Sequence, residues 1–76
     1  MQTIKKILGN NIRMRRSILK LTQEELSEKT ELHRTYISEL ERGLGNPSLE
    51  SICRLADVLE IDLCALLSRP SSAGDQ

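Results

Sequence analysis

Polar side chains able to hydrogen-bond with DNA bases cluster at the start of one short predicted helix. The candidates for contacts with base edges are Arg34, Thr35, Tyr36, Ser38 and Glu39. The guanidinium of Arg34 can bridge O6 and N7 of guanine, and the carboxylate of Glu39 could accept a hydrogen bond from cytosine N4 or disfavour wrong sites. Such residue types at a helix N-terminus are typical of a helix that enters the major groove.

An ordinary solvated helix surface would also carry polar residues, and this alternative stays open for each of them. Tyr36 is the only aromatic residue of the chain, and on such a helix we expect it to make a surface contact rather than anchor the core. Arg34 would be mildly unfavourable beside the positive end of the helix dipole. That mismatch favours a functional role for Arg34 over a merely solvated one.

The helix that carries these residues is the second of two short helices joined by a tight turn. Thr22, with Glu25 three residues later, forms the capping-box pattern of a helix start, which predicts a helix over about Gln23–Lys29. A break at Thr30–His33 precedes the second helix, predicted over about Arg34–Arg42. Two helices in this arrangement form a helix-turn-helix unit.

Three further helices are predicted around this unit, so the expected fold is all-α with five helices. The first should span about Thr3–Leu19, and the last two should begin after the capping residues Ser48 and Asp62. The apolar residues expected on the inward faces of the first and fourth helices are Ile4, Leu8, Ile12, Leu49, Ile52, Leu55, Ala56 and Leu59, and the last helix carries Leu63, Leu66 and Leu67. We expect one domain over residues 1–68 and a disordered, Pro/Ser/Gly-rich tail over residues 69–76.

Candidate phosphate-binding residues lie on several of these elements. Gln23 is the first residue of the predicted second helix, where its amide and the free backbone N–H groups suit an anion. Further candidates are Arg13, Arg42 and Asn46. The net charge is zero, yet the first 20 residues hold six basic residues and no acidic one. A domain with this asymmetry can turn a basic face to DNA, although a solvated basic helix would look the same.

Other classes of function find little support in the composition. No apolar run reaches the length of a membrane span. A Gly-rich phosphate loop and a nucleophile–histidine pair are both missing, so we do not expect an enzyme. Cys53 and Cys64 match no metal motif, and we expect them to be buried or half-buried thiols in a reducing cytoplasm, with no metal or cofactor.

Several motifs together resemble the lambdoid-repressor/Cro (XRE-type) helix-turn-helix family over about residues 6–67. The matching residues are Leu8, Gly9, Ile12, Arg13, Arg16, Leu21-Thr22-Gln23, Leu26, Ile37-Ser38, Leu40-Glu41-Arg42-Gly43 and Asn46-Pro47-Ser48-Leu49. The resemblance implies a repressor-like DNA-binding fold and a phosphate contact by Gln23. It also implies an ion pair between Arg16 and Glu41. Arg16 is a charged residue on the inward row of the first helix, and a charge in that position needs a partner.

Three residues depart from the pattern of that family. Glu31 stands where the turn commonly has glycine, which would cost about 1 kcal/mol if its backbone is left-handed. His33 stands where Ser, Thr or Asp usually caps the reading helix, so we expect a weak or differently made cap. Leu44 stands where a basic residue often reaches the DNA backbone.

These features predict a sequence-specific, double-stranded DNA-binding transcriptional regulator. A single reading helix gives too little interface, so we expect a homodimer with Leu63 and Leu66 in its interface. RNA polymerase is a further candidate partner. The string from Arg34 to Leu49 looks most like the small controller proteins of restriction–modification systems. The alternative function is a protein-interaction helix-turn-helix module, such as an antitoxin or a co-activator-like domain.

Overall fold

The computed structural model describes residues 3–69, and within them the chain forms five α-helices and no strand. In chain order the helices are α1 (Ile4–Ile18), α2 (Gln23–Thr30), α3 (Arg34–Glu41), α4 (Leu49–Val58) and α5 (Leu63–Leu66). The all-α, five-helix prediction is therefore confirmed. Of the predicted disordered tail, residues 70–76 lie outside the described residues. None of the described helices has both the length and the apolar content needed to cross a membrane.

The predicted helix starts are confirmed by hydrogen bonds at the caps. Thr22 Oγ1 accepts from the backbone N–H of Glu25 at 3.0 Å, and Glu25 Oε1 accepts from the backbone N–H of Thr22 at 2.8 Å. This reciprocal capping box fixes the entry into α2. Ser48 caps α4 and Asp62 caps α5 in the same way, each through its side-chain oxygen. His33 precedes α3 without a side-chain cap bond, as its residue type predicted.

The turn between α2 and α3 contains the strained residue expected there. Glu31 has φ +63°, so a non-glycine residue adopts the left-handed conformation. After α3, Gly43 has φ +79° and donates its backbone N–H to the Leu40 carbonyl, while the N–H of Leu44 bonds to the Glu39 carbonyl. This Schellman motif ends α3 and directs the chain into the loop before α4.

The hydrophobic core is made of aliphatic side chains from all five helices. Its fully buried members are Ile12, Leu26, Ile37, Leu40, Leu55, Leu59 and Leu66. Two predicted inward residues are wrong, because Ile4 is 57% exposed and Leu49 is 68% exposed. Each is the first residue of its helix. An α-helix has 3.6 residues per turn, so residues spaced three or four apart do not stay aligned along one face. The first residue of an apolar row can therefore lie outside the buried face.

The helix α1 approaches the end of α3 closely at Gly9. A Cβ atom added at Gly9 would lie 2.3 Å from the carbonyl oxygen of Leu40 and 2.9 Å from that of Glu41. Real side chains do not tolerate such contacts with backbone atoms. Glycine at position 9 therefore lets α1 pack directly on the C-terminal turn of α3.

Candidate DNA-binding surface

The first turn of α3 presents the predicted base-reading residues at the surface. Arg34 and Thr35 are exposed, whereas Ser38 and Glu39 one turn later are half-buried. The guanidinium of Arg34 donates from Nη1 to Gln23 Oε1 at 3.4 Å. This hydrogen bond links the first residue of α3 to the first residue of α2. It holds the Arg34 side chain in a defined position.

Tyr36 differs from the sequence-based expectation of a purely surface residue. Its ring is half-buried and packs against the hydrophobic core. Its hydroxyl oxygen accepts a hydrogen bond from the backbone N–H of Ser48 at 3.3 Å. The Tyr36 side chain therefore connects α3 to the start of α4. The expected base contact of Tyr36 stays a prediction.

Arg16 and Glu41 form a two-point ion pair between α1 and α3. Arg16 Nε lies 2.6 Å from Glu41 Oε2, and Arg16 Nη2 lies 2.9 Å from Glu41 Oε1. The third guanidinium nitrogen, Nη1, donates to the carbonyl oxygen of Leu21 at 3.0 Å. The Glu41 side chain is only 4% exposed. Its hydrogen bonds raise the pKa of Arg16, although partial burial acts in the opposite direction.

Gln23 connects this ion pair to the reading helix. Its Nε2 donates to Glu41 Oε1 at 3.1 Å, and its Oε1 accepts from Arg34. The sequence predicted Gln23 as a phosphate ligand, but it contained no sign of these two contacts. One N–H of the carboxamide stays available for an anion, because an amide nitrogen has two donors.

An open cleft lies beside Gln23, between the end of α1 and the start of α2. Its charged and amide side chains include Arg13, Lys20, Gln23, Glu24 and Arg34. Three of these are basic and one is acidic. The N-terminus of α2 adds its helix dipole and unpaired backbone N–H groups. A cleft of this composition suits a backbone phosphate.

The remaining predicted phosphate ligands lie apart from this cleft. Arg42 is exposed at the end of α3. Asn46, in the loop before α4, accepts a hydrogen bond from Lys5 Nζ at 2.9 Å. The amide of Asn46 thus orients a lysine of α1, an interaction across 41 residues of sequence that the spacing of motifs could not reveal.

The predicted dimer contacts are only partly available at the surface. Leu66 is fully buried in the core of a single chain, so its assignment to a dimer interface is wrong. Leu63 is half-buried and packs against the same core. The helix α5 has only four residues, and it uses its apolar side to close its own domain.

Exposed apolar residues that the sequence reading missed lie on the second half of α1. Met14 is 44% exposed and Ile18 is 58% exposed. Their spacing of four places them on one face of the helix. Met14 lines a largely apolar groove together with Ile61 and Ala65.

The two cysteines are exposed, contrary to expectation. Cys53 lies on α4 and Cys64 on α5. Each lies on the exposed side of its helix, whereas Ile52 of α4 and Leu66 of α5 are buried.

The fold and this surface define a DNA-binding helix-turn-helix regulator. The family model described as Helix-turn-helix matches residues 12–66, and the chain belongs to this XRE-type family. It is 41% identical over 73 residues to control protein C.SmaI of Serratia marcescens, which covers 96% of this chain and 87% of that protein.

Two solved structures show the same arrangement of helices. The restriction–modification controller protein C.AhdI from Aeromonas hydrophila superposes with a TM-score of 0.78 and 35% identity, over 82% of this chain and 94% of that one. The biofilm regulator SinR of Bacillus subtilis, solved in complex with DNA, has a TM-score of 0.76 and 31% identity, over 80% of this chain and 98% of that one. The sequence-based family and fold assignments are confirmed.

Proposed function

We propose that the protein binds a two-part DNA operator as a homodimer and regulates the genes of a restriction–modification system. The observation that carries the DNA-reading part is the placement of Arg34. This side chain is exposed at the N-terminus of α3, is linked to Gln23, and borders the cationic cleft at the start of α2. A base-reading group beside a phosphate site is the arrangement by which a helix-turn-helix unit docks in the major groove.

In this proposal Arg34 recognises guanine, and Thr35, Ser38 and Glu39 refine the choice of neighbouring bases. Gln23 and Arg13 hold a phosphate at the start of α2. Arg42 and the loop residue Asn46 contact the backbone beyond α3, where Leu44 offers no charge. Apart from Arg34, the candidate base-reading residues of α3 are uncharged or acidic, so most of the affinity comes from the flanking phosphate contacts.

Dimerisation follows from the size of the reading surface. A single eight-residue helix reads too few base pairs for useful specificity, and paired units of this kind bind half-sites about 34–36 Å apart. We place the dimer surface on Met14 and Ile18 of α1 and on Ala65 of α5, with Leu63 at its edge. These side chains supply exposed apolar area that the core of one chain leaves uncovered.

The role in a restriction–modification system rests on the control protein C.SmaI and on C.AhdI, whose described function is that of a controller. Regulation at such a promoter brings RNA polymerase to the same DNA, in the cytoplasm. A methyltransferase or endonuclease gene beside the gene for this chain would support this part of the proposal.

The direct test begins with selection of bound sequences from a random duplex library. The proposal expects a two-part symmetric operator, bound by two chains and more tightly than a scrambled duplex at one fixed salt concentration. Sedimentation of the complex gives the number of chains. If no sequence is enriched and the chain instead retains only protein partners, the protein-interaction alternative is correct.

A further inference from the structure

A polar stripe runs along one face of α1. Its members are Lys6, Asn10, Arg13 and Ser17, at successive spacings of four, three and four residues, which place them on one side of a helix. The stripe is about 17 Å long, at 1.5 Å per residue. Lys20 follows directly after the end of α1, held in a left-handed turn with φ +60°. Apolar residues of α1 occupy the opposite face.

The stripe connects two clefts on either side of the Arg16–Glu41 ion pair. The first cleft is the one at the start of α2, which Arg13, Ser17 and Lys20 line from the α1 side. The second cleft is lined by Lys6, Asn10 and Arg13 from α1, together with Arg42 and Gly43 from the end of α3. Arg13 borders both clefts. The surface beside the reading helix is therefore one continuous polar track and not two separate patches.

The cations of this track have no acidic partner among the described residues. The ion pairs within residues 3–69 involve only Arg16 and Arg54 as the basic members. The carboxylate of Glu41 borders the second cleft, but it is neutralised by Arg16. In the first cleft only Glu24 opposes Arg13 and Lys20. The positive charge of the track is thus available to an external anion.

Two contacts hold the track in position. A Cβ atom at residue 43 would lie 3.0 Å from Lys6 Cγ, so the lysine stem rests directly on the glycine that ends α3. Asn10 Oδ1 accepts a hydrogen bond from Arg13 Nη2 at 3.4 Å. Lys6 is thereby held against the end of α3, and Arg13 is held along α1.

We infer that the α1 stripe binds the phosphates of duplex DNA alongside the reading helix, with Lys6 in the second cleft as a contact separate from that of Gln23 in the first. The inference rests on the proposed function. The stripe matches the length of about five base-pair steps, at 3.4 Å per step. Its ligands are phosphate oxygens, which carry no sequence information, so the stripe fixes the register of α3 and adds equal affinity for every sequence.

The test measures affinity for a random-sequence duplex across a series of salt concentrations. The variants are Lys6→Gln, Arg13→Gln and the double variant. Lys29→Gln is the matched control, because Lys29 is an exposed cation on α2 that borders a different cleft with Glu31 and Asp57. A thermal melt followed by circular dichroism verifies that each variant is folded.

Loss of each phosphate contact should lower the slope of log affinity against log salt by about 0.9 per bound chain. In the double variant this slope should fall by about twice as much. The ratio of operator affinity to random-duplex affinity should stay unchanged. The Lys29→Gln slope should equal that of the wild type. If the Lys6 and Arg13 variants have the same slope as Lys29→Gln while the wild type still binds DNA, the inference is overturned but the proposed function is not. A wild type that binds no duplex at low salt would instead overturn the proposed function.

Discussion

The side chain of Gln23 accepts a hydrogen bond from Arg34 at 3.4 Å, which joins the first residue of α2 to the first residue of α3. The other end of the same carboxamide donates to Glu41, the partner of Arg16. The proposed phosphate ligand, Gln23, is therefore directly hydrogen-bonded to the proposed base-reading residue, Arg34. Binding of a phosphate near Gln23 would act on the position of Arg34, so the two kinds of contact are not independent.

This coupling can be measured with a double-mutant cycle of Gln23→Ala and Arg34→Ala on the operator. We expect a coupling energy of about 0.5 kcal/mol or more, because each substitution removes the partner of the other. On a scrambled duplex the coupling should vanish, since Arg34 reads no base there. Strictly additive losses on the operator would show that the hydrogen bond has no role in recognition.

Arg34→Ala alone tests whether α3 reads the operator. We expect the binding free energy to weaken by about 1–3 kcal/mol per half-site on the operator and to change little on a scrambled duplex. Stability should be unaffected because the side chain is exposed. Lys29→Ala serves as the control for removing one positive charge. An unchanged ratio of operator to scrambled affinity would mean that α3 is not the reading helix.

The Arg16–Glu41 ion pair should contribute strongly to stability. Glu41→Ala removes a carboxylate that is 4% exposed and leaves the guanidinium of Arg16, whose side chain is 19% exposed, without an ionic partner. We expect a loss of about 3 kcal/mol in the free energy of unfolding, at the lower end of the range for buried pairs because Arg16 still reaches water. Glu50→Ala, which breaks an exposed pair with Arg54, should cost less than about 1 kcal/mol. Equal costs in urea denaturation would contradict the role assigned to the buried pair.

Gly9 should be needed for the contact between α1 and α3. Gly9→Ala places a methyl group 2.3 Å from the Leu40 carbonyl oxygen. Alanine has the better helix propensity, but we expect the free energy of unfolding to fall by about 1–3 kcal/mol because the two helices must separate. Ser17→Ala, at an exposed position of the same helix, provides the control and should be neutral or slightly stabilising. A melting temperature of Gly9→Ala at or above that of the wild type would refute the close-approach argument.

The local signals in the sequence predicted the elements well, because capping and periodicity depend on neighbours within one turn. The capping box of Thr22 and Glu25 and the burial of Leu26 are of this kind. Periodicity identifies the apolar face of a helix but not which part of it another helix covers. Ile4 was therefore expected inside and Leu66 outside, whereas the structure reverses both.

Contacts between long polar side chains were harder to predict than helix boundaries. The bridging position of Gln23 depends on the relative placement of α1, α2 and α3, which no single motif encodes. Lys5 with Asn46 is a similar case, since the two residues come together only after the loop before α4 has folded back to α1. The resemblance to a known family supplied the Arg16–Glu41 pairing, which periodicity alone had left as a charge without a partner.

Burial separates the apolar residues that are available for a dimer surface from those that form the core of one chain. Ile18→Glu should yield monomers that remain folded, since Ile18 is 58% exposed and its substitution leaves the core intact. Leu66→Ala should instead lower the free energy of unfolding by about 2–5 kcal/mol, as for other buried leucines, without a direct effect on the interface. Leu44→Glu is the matched control, because Leu44 is, like Ile18, an exposed aliphatic residue, at 50%, but lies in the loop before α4. Sedimentation of the three variants at micromolar concentration should show monomers only for Ile18→Glu. A wild-type monomer under those conditions would contradict the proposed homodimer, and monomers from Leu44→Glu instead of Ile18→Glu would place the dimer surface elsewhere on the molecule.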